Sequence, residues 1–256
     1  MLIALTRPVP ASLPRCELTH LARTPIDLAG ARAEHDGYAR ALASLGCDVR
    51  PIAAADDLPD SVFVEDTAVV LDEVAILTRP GAPSRRPETA AVAAALEGLR
   101  SLARIAAPGT LDGGDVLCLD RTLYVGLGSR SNRAGADQLA AVVRPYGYEV
   151  RTVCVTRCLH LKSAVSSLAT GLILVNPQWV HPHEFEPAEA ITVSPDEPAA
   201  ANVLLVGAAV LCAEAHAGTA RRIEAAGLAV RAIRMQELAK AEAGVTCCSL
   251  MLRNGS

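Results

Sequence analysis

Aromatic side chains are nearly missing from this chain of 256 residues, which holds two Phe, four Tyr and one Trp. It also lacks any basic run, and its formal net charge is −4. Without stacking rings or a basic stripe, it has neither means of gripping a nucleic acid. Long apolar runs are missing too. The opening Met1-Leu2-Ile3-Ala4-Leu5-Thr6-Arg7-Pro8 is too short for a secretory signal or a membrane span. A paired cysteine framework is likewise absent. The eight cysteines are scattered at 16, 47, 118, 154, 158, 212, 247 and 248, and Cys154 and Cys158 lack the spacing of a structural zinc site. The expectation is a cytoplasmic protein with free thiols, bound to neither membrane nor nucleic acid.

What the chain does have is aliphatic material. Hydrophobic residues make up 51%, enough for a core of Ala, Val, Leu and Ile and too much for wholesale disorder. Four segments read as hairpins, two apolar runs around a short polar or glycine turn. They are Val62 to Thr78 (turning at Asp72-Glu73), Val116 to Gly126 (Asp120-Arg121), Ala164 to Asn176 (Thr170-Gly171) and Val203 to Ala213 (Gly207-Ala208). Helical spacing follows most of them, at Glu88 to Leu99, Ala134 to Val143 and Gly218 to Ala226. A glycine then precedes a single short strand, as Gly147 does before Val150 and Gly227 before Val230.

Strand landmarks at Val49, Ile105, Val150, Ile191 and Val230 recur at roughly forty to fifty residues, the range of radial and solenoid arrays. The unit is ββαβ. The fourth is irregular, with prolines between Trp179 and Glu189. A fifth hairpin is split, Val245 to Leu252 giving one strand and Leu2 to Thr6 the other. Pairing the two would close a ring without open edges. The expected fold is therefore α/β, a five-bladed pseudosymmetric propeller, with residues 1–256 as one domain.

The charged motifs fall at the inner ends of these strands, where a ring converges. Glu65-Asp66 lies within the first hairpin, in the run Phe63-Val64-Glu65-Asp66. Leu111-Asp112-Gly113-Gly114-Asp115 precedes the second, and Leu159-His160-Leu161-Lys162-Ser163 the third. Val245-Thr246-Cys247-Cys248-Ser249-Leu250 supplies the closing strand, on which the two thiols would face opposite ways. Each motif also has a plain reading. Cys248 would be packing, His160 a satisfied core histidine, Gly113-Gly114 a turn, and Glu65-Asp66 the partner of a structural arginine. Their convergence on one channel favours chemistry: a thiol nucleophile, a proton carrier and carboxylates suited to a cation.

The Leu111-Asp112-Gly113-Gly114-Asp115, His160-Leu161-Lys162-Ser163 and Thr246-Cys247-Cys248-Ser249 motifs, in this order and spacing, together with Thr78-Arg79-Pro80-Gly81-Ala82-Pro83-Ser84-Arg85-Arg86, resemble the dimethylarginine dimethylaminohydrolase family. That family lies in the guanidino-group-modifying, or amidinotransferase, superfamily. The resemblance runs from Arg7-Pro8 to Leu252 and implies the same five-bladed propeller. It also implies Cys247 as nucleophile, His160 as general acid and base, and Asp112 as the carboxylate orienting it. Asp66 and Glu65 would hold the guanidinium, with Asp60 beside them. Arg85 and Arg130 would hold the amino-acid end, with Leu13 in a lid loop. The implied reaction takes methylated arginine to citrulline and dimethylamine through a covalent thiouronium. It calls for no metal or organic cofactor. Lys162 stands where arginine deiminases carry Asp. A deiminase-like or amidinotransferase-like enzyme, a zinc-binding regulatory protein using Cys247 and His160, and an inactive binding module stay open. So does the choice between monomer and homodimer.

Overall fold

A computed structural model of the chain describes residues 1–253. Strands β1 (Leu2–Thr6) and β2 (Asp48–Pro51) run parallel, joined by the helix Leu28–Ser44. Asp27 caps that helix by accepting the N–H of Ala29. The next sheet takes β3 (Ala68–Val70), β4 (Val74–Leu77) and β5 (Ser101–Arg104). Another holds β6 (Val116–Leu119), β7 (Thr122–Leu127) and β8 (Glu149–Cys154). Then come β9 (Val165–Ala169), β10 (Leu172–Val175) and β11 (Glu189–Thr192), followed by β12 (Leu204–Val206), β13 (Ala209–Ala213) and β14 (Ala229–Ile233). Finally β15 (Leu250–Arg253) pairs antiparallel with β1, Leu2 opposite Arg253 and Leu5 opposite Leu250.

Among the described residues there are thus five three-stranded sheets. In each, a middle strand pairs antiparallel with one neighbour and parallel with the other. The parallel pair needs a crossover, which a helix supplies in four of the five. Proline explains the exception: Pro182 and Pro187 leave only a 3₁₀ turn, Pro182–Phe185, between β10 and β11. Gly147 and Gly227, with φ of 78° and 85°, turn the chain from helix into strand. This is the expected five-bladed α/β propeller, closed by its terminal strands.

Five aliphatic clusters fill the wedges between successive blades. Ile3, Leu5, Leu250 and Leu252 of the closing sheet pack with Val64, Ala68 and Leu77 of the next. Truncating one such buried leucine to alanine costs about 2–5 kcal/mol. Rings enter rarely, as where Tyr124 meets Phe185 with centroids 5.0 Å apart. No helix among the described residues is long and apolar enough to cross a membrane.

Two expectations are corrected near the axis. The run Val245 to Leu252 is not all strand: Thr246–Cys248 forms a 3₁₀ turn and β15 begins at Leu250. Cys247 and Cys248 therefore do not alternate across a sheet. Glu65 and Asp66 likewise sit on a 3₁₀ turn, Val64–Thr67, ahead of the hairpin. Thr67 Oγ1 closes that turn on the Val64 carbonyl at 2.6 Å. Local hydrogen bonds override the β-propensity of both segments.

Each blade repeats this device. One helical turn precedes the first strand at Val64–Thr67, Gly113–Asp115, Leu161–Ala164, Pro198–Ala201 and Thr246–Cys248. Thr246–Cys248 touches Val64–Thr67, which touches Gly113–Asp115, then Leu161–Ala164, then Pro198–Ala201. These turns ring the axis.

Candidate active site

Four of the five turns carry ionisable groups to the centre. His160, just ahead of Leu161–Ala164, is buried, with Nε2 at 3.0 Å from Asp112 Oδ2 and Nδ1 at 3.7 Å from Asp66 Oδ1. Ligand atoms of Asp66, Asp112 and His160 all lie within 4.8 Å of one another. Burial opposes a charge on the imidazole, but Asp66, Asp115 and Asp112 outweigh it and push His160 up to about 9. Near neutrality it is an imidazolium. Both nitrogens facing carboxylates favour that proton-bound form over the neutral imidazole a metal would need.

The two glycines of the Asp-Gly-Gly-Asp segment have a steric task, rather than that of a flexible turn. A Cβ on Gly113 would lie 2.0 Å from the Glu65 carbonyl oxygen, and one on Gly114 would lie 2.8 Å from His160 Nδ1. Only bare backbone lets these three turns meet. Gly114 N–H also donates to Asp66 Oδ1 at 2.9 Å. Asp115, absent from the expected site, accepts from Leu161 N–H at 3.0 Å and Ser131 Oγ at 2.7 Å. It anchors the turn that follows His160, and burial raises it to about 6.

Cys247 is half-buried, whereas Cys248 is fully buried in the core. Gly244 N–H donates to Cys247 Sγ at 3.3 Å. Burial first, then the charges of Glu65 and Asp66, push the Cys247 thiol well above its ordinary range. Cys248 is pushed up to about 12 by burial and Glu65. Tyr38 Oη meets Ser249 Oγ at 2.7 Å, pinning the far side of the turn.

The carboxylates are held firmly. Glu65 accepts from Lys162 Nζ and from Thr246 Oγ1, each at 2.6 Å. Burial would raise Asp66, but His160 and Arg85 hold it well below the usual carboxylate range. Arg85 departs from the expectation of an open carboxylate clamp. It is 4% exposed, bonding Asp66 at 2.5 Å, Glu88 at 2.9 Å and the Phe63 carbonyl at 2.9 Å. Its position is that of a counter-ion behind Asp66. Arg130 instead reaches the segment that follows Leu13, with Nη2 3.1 Å from Thr19 Oγ1 and Nη1 3.9 Å from Asp112.

Leu13 is placed differently too. It is fully buried in a core cluster, at the start of the 3₁₀ turn Leu13–Arg15. The stretch meeting the other site residues is Glu17 to Thr19. Glu17 N–H donates to both oxygens of Asp60, at 3.1 and 3.2 Å. Asn202, outside every motif of the sequence, and Thr246, inside one but given no role there, join these turns by hydrogen bonds through uncharged side chains.

The family described as "N,N dimethylarginine dimethylhydrolase, eukaryotic" matches residues 23–186. The N(G),N(G)-dimethylarginine dimethylaminohydrolase of Streptomyces coelicolor is 42% identical over 92% of this chain and 91% of its own. That of Pseudomonas aeruginosa is 32% identical, covering 91% of each. A solved structure of a mutant of the Pseudomonas aeruginosa enzyme, complexed with citrulline, matches with a TM-score of 0.93 at 32% identity, over 97% of this chain and 98% of that one. The N-terminal domain of a cyanobacterial arginine dihydrolase matches with a TM-score of 0.88 at 18% identity, covering 98% of both chains. At that identity the likeness speaks for the fold alone.

Proposed function

The chain belongs to the dimethylarginine dimethylaminohydrolase family, and from that premise we propose that it hydrolyses Nω-methylated arginine to citrulline and dimethylamine. The observation that carries this reading is that the carboxylate of Asp66 acts on both a half-buried thiol, Cys247, and the imidazolium of His160, with Glu65 adding its charge beside the thiol. A guanidinium carbon is a poor electrophile because its charge is delocalised. Its attack requires a thiolate, a proton for the departing amine and a site that accepts a cation.

Cys247 attacks the guanidinium carbon. His160, aligned by Asp112, protonates the departing dimethylamine and leaves a thiouronium on sulfur. His160 then takes a proton from water, which attacks the same carbon, and the thiolate departs from citrulline. Glu65 and Asp66 steady the cation, with Asp60 beside them. Arg130 meets the amino-acid end, and Arg85 fixes Asp66. Leu13 supports the lid from beneath. The reaction draws its nucleophile and its acid from side chains and calls on no cofactor.

Glu65 and Asp66, which attract the substrate, also suppress the thiolate. A bound guanidinium reverses that balance. At about 4 Å and an effective dielectric of about 20, a cation attracts an anion by about 4 kcal/mol. The thiol is therefore expected to ionise once substrate is bound. Lys162 on Glu65 favours a methylated substrate, since it takes up an acceptor that unsubstituted guanidinium nitrogens would need. We take residues 1–256 as one catalytic domain, working as a monomer or homodimer in a reducing cytoplasm where its thiols stay free.

The test is incubation with asymmetric dimethylarginine and, separately, with arginine, measuring citrulline, dimethylamine and ammonia. Equal amounts of citrulline and dimethylamine from the first are expected. Ammonia from arginine at a comparable rate would instead assign a deiminase.

A further inference from the structure

The fifth turn of the axial ring, Pro198–Ala201, holds only proline and alanine. Directly after it comes Asn202, a buried amide with 8% of its surface exposed. Its Oδ1 accepts from Thr246 N–H at 2.9 Å. Its Nδ2 donates to Thr246 Oγ1 at 3.0 Å and to the Lys162 carbonyl at 3.0 Å. The partners fix which way the amide faces, because Thr246 N–H can only donate and the Lys162 carbonyl can only accept. Thr246 Oγ1 passes the link on to Glu65 Oε2. One uncharged side chain thus joins the turn after His160, the turn of Cys247 and, through Thr246, the turn of Glu65.

The amide also sets the backbone beside the sulfur. A Cβ on Gly244 would lie 2.3 Å from both Cγ and Oδ1 of Asn202, so Gly244 rests directly on the amide face. Gly244 N–H is the donor to Cys247 Sγ. Asn202 therefore grips the segment on both sides of Val245, at Gly244 and at Thr246.

We infer that Asn202 is a positioning residue for the nucleophile: it holds the Gly244–Thr246 segment so that the Gly244 N–H meets Cys247 Sγ and Thr246 meets Glu65. It touches no reacting atom and acts through the turn. The inference rests on Cys247 being the nucleophile of the proposed reaction. It goes beyond that reading in giving the one turn without ionisable chemistry a part in catalysis. Loss of the amide frees the segment, and a misplacement of about 1 Å can cost about a hundredfold in rate.

The experiment compares Asn202→Ala with Ser166→Ala. Ser166 Oγ accepts from Val203 N–H at 3.2 Å, a buried bond one residue further along the chain, with no tie to Thr246. Three readouts are taken: kcat and KM on asymmetric dimethylarginine, melting temperature, and the pH dependence of iodoacetamide alkylation at Cys247 followed by peptide mass. Asn202→Ala is expected to lower kcat about tenfold to a hundredfold with KM nearly unchanged. It should also move the alkylation midpoint to higher pH, because the sulfur loses its N–H donor. Ser166→Ala should lower the melting temperature without moving that midpoint. Should Asn202→Ala fail to fold, Asn202→Ser is read in its place, keeping one short polar atom.

An unmoved alkylation midpoint in the folded Asn202 variant, or an equal shift in Ser166→Ala, would overturn the inference. The alkylation readout needs no substrate, so it separates the two claims. A wild-type chain that forms no citrulline defeats the proposed reaction, whereas an unmoved midpoint defeats the role of Asn202.

Discussion

The turn Val64–Thr67 and the turn Pro198–Ala201 hold the same place in two blades, each one helical turn ahead of a first strand at the axis. The first brings two carboxylates, which engage Lys162, Thr246, Arg85 and a backbone N–H of Gly114. The second brings alanines, of which Ala200 and Ala201 are fully buried. Blade closure thus needs only that the position be packed, and ionisable chemistry is an addition that must be satisfied by partners. Where charge is present, the neighbouring turns are built around it: a lysine, an arginine, two glycines. Where it is absent, the site still draws on the blade through Asn202.

Substitutions on loaded and unloaded turns should therefore diverge. The largest effect is expected from Cys247→Ser, which should lower turnover by at least about ten-thousandfold while the melting temperature holds. A steady-state citrulline assay and a thermal melt check both halves. Asp66→Asn comes next, damaging activity and fold together, since it leaves the buried Arg85 with one partner fewer. Breaking a buried pair costs about 3–5 kcal/mol, readable by urea unfolding.

Third is the pH dependence of His160. Its folded value, about 9, lies above the ordinary 6.5. The folded state therefore binds this proton more tightly, and the gain is complete below 6.5 and lost as pH rises through 9. On the order of 3 kcal/mol should fade across that window in unfolding titrations. His160→Gln should flatten the decline. The smallest effect is expected from Ala199→Ser on the exposed face of the unloaded turn, within about 0.5 kcal/mol and without change in turnover.

The propeller was legible in the sequence because its hairpins are short, aliphatic and punctuated by glycine. Asp112, His160 and Cys247 were legible because their residue types are rare in such runs. Less was visible wherever a hydrogen bond, rather than a periodicity, decided the conformation. The β-prone Thr246-Cys247-Cys248 coils into a 3₁₀ turn held by its own local hydrogen bonds and by Asn202, distant in the chain, which takes its first N–H. The role of Arg85 as counter-ion and the burial of Leu13 depend on where Glu88 and the core fall in space. Gly113 and Gly114 do form a turn, yet neither has a positive φ, and what requires glycine there is close approach.

Strand β15 pairs antiparallel with β1, with Arg253 opposite Leu2. The closing sheet therefore has the pairing of a hairpin, though its two strands are far apart in the sequence. A short glycine-serine link from Arg253 to Leu2 would supply a connecting turn. New ends could then be opened at Gly207-Ala208, the tip between β12 and β13. The permuted chain should reach the same ring and the same site from a different starting blade.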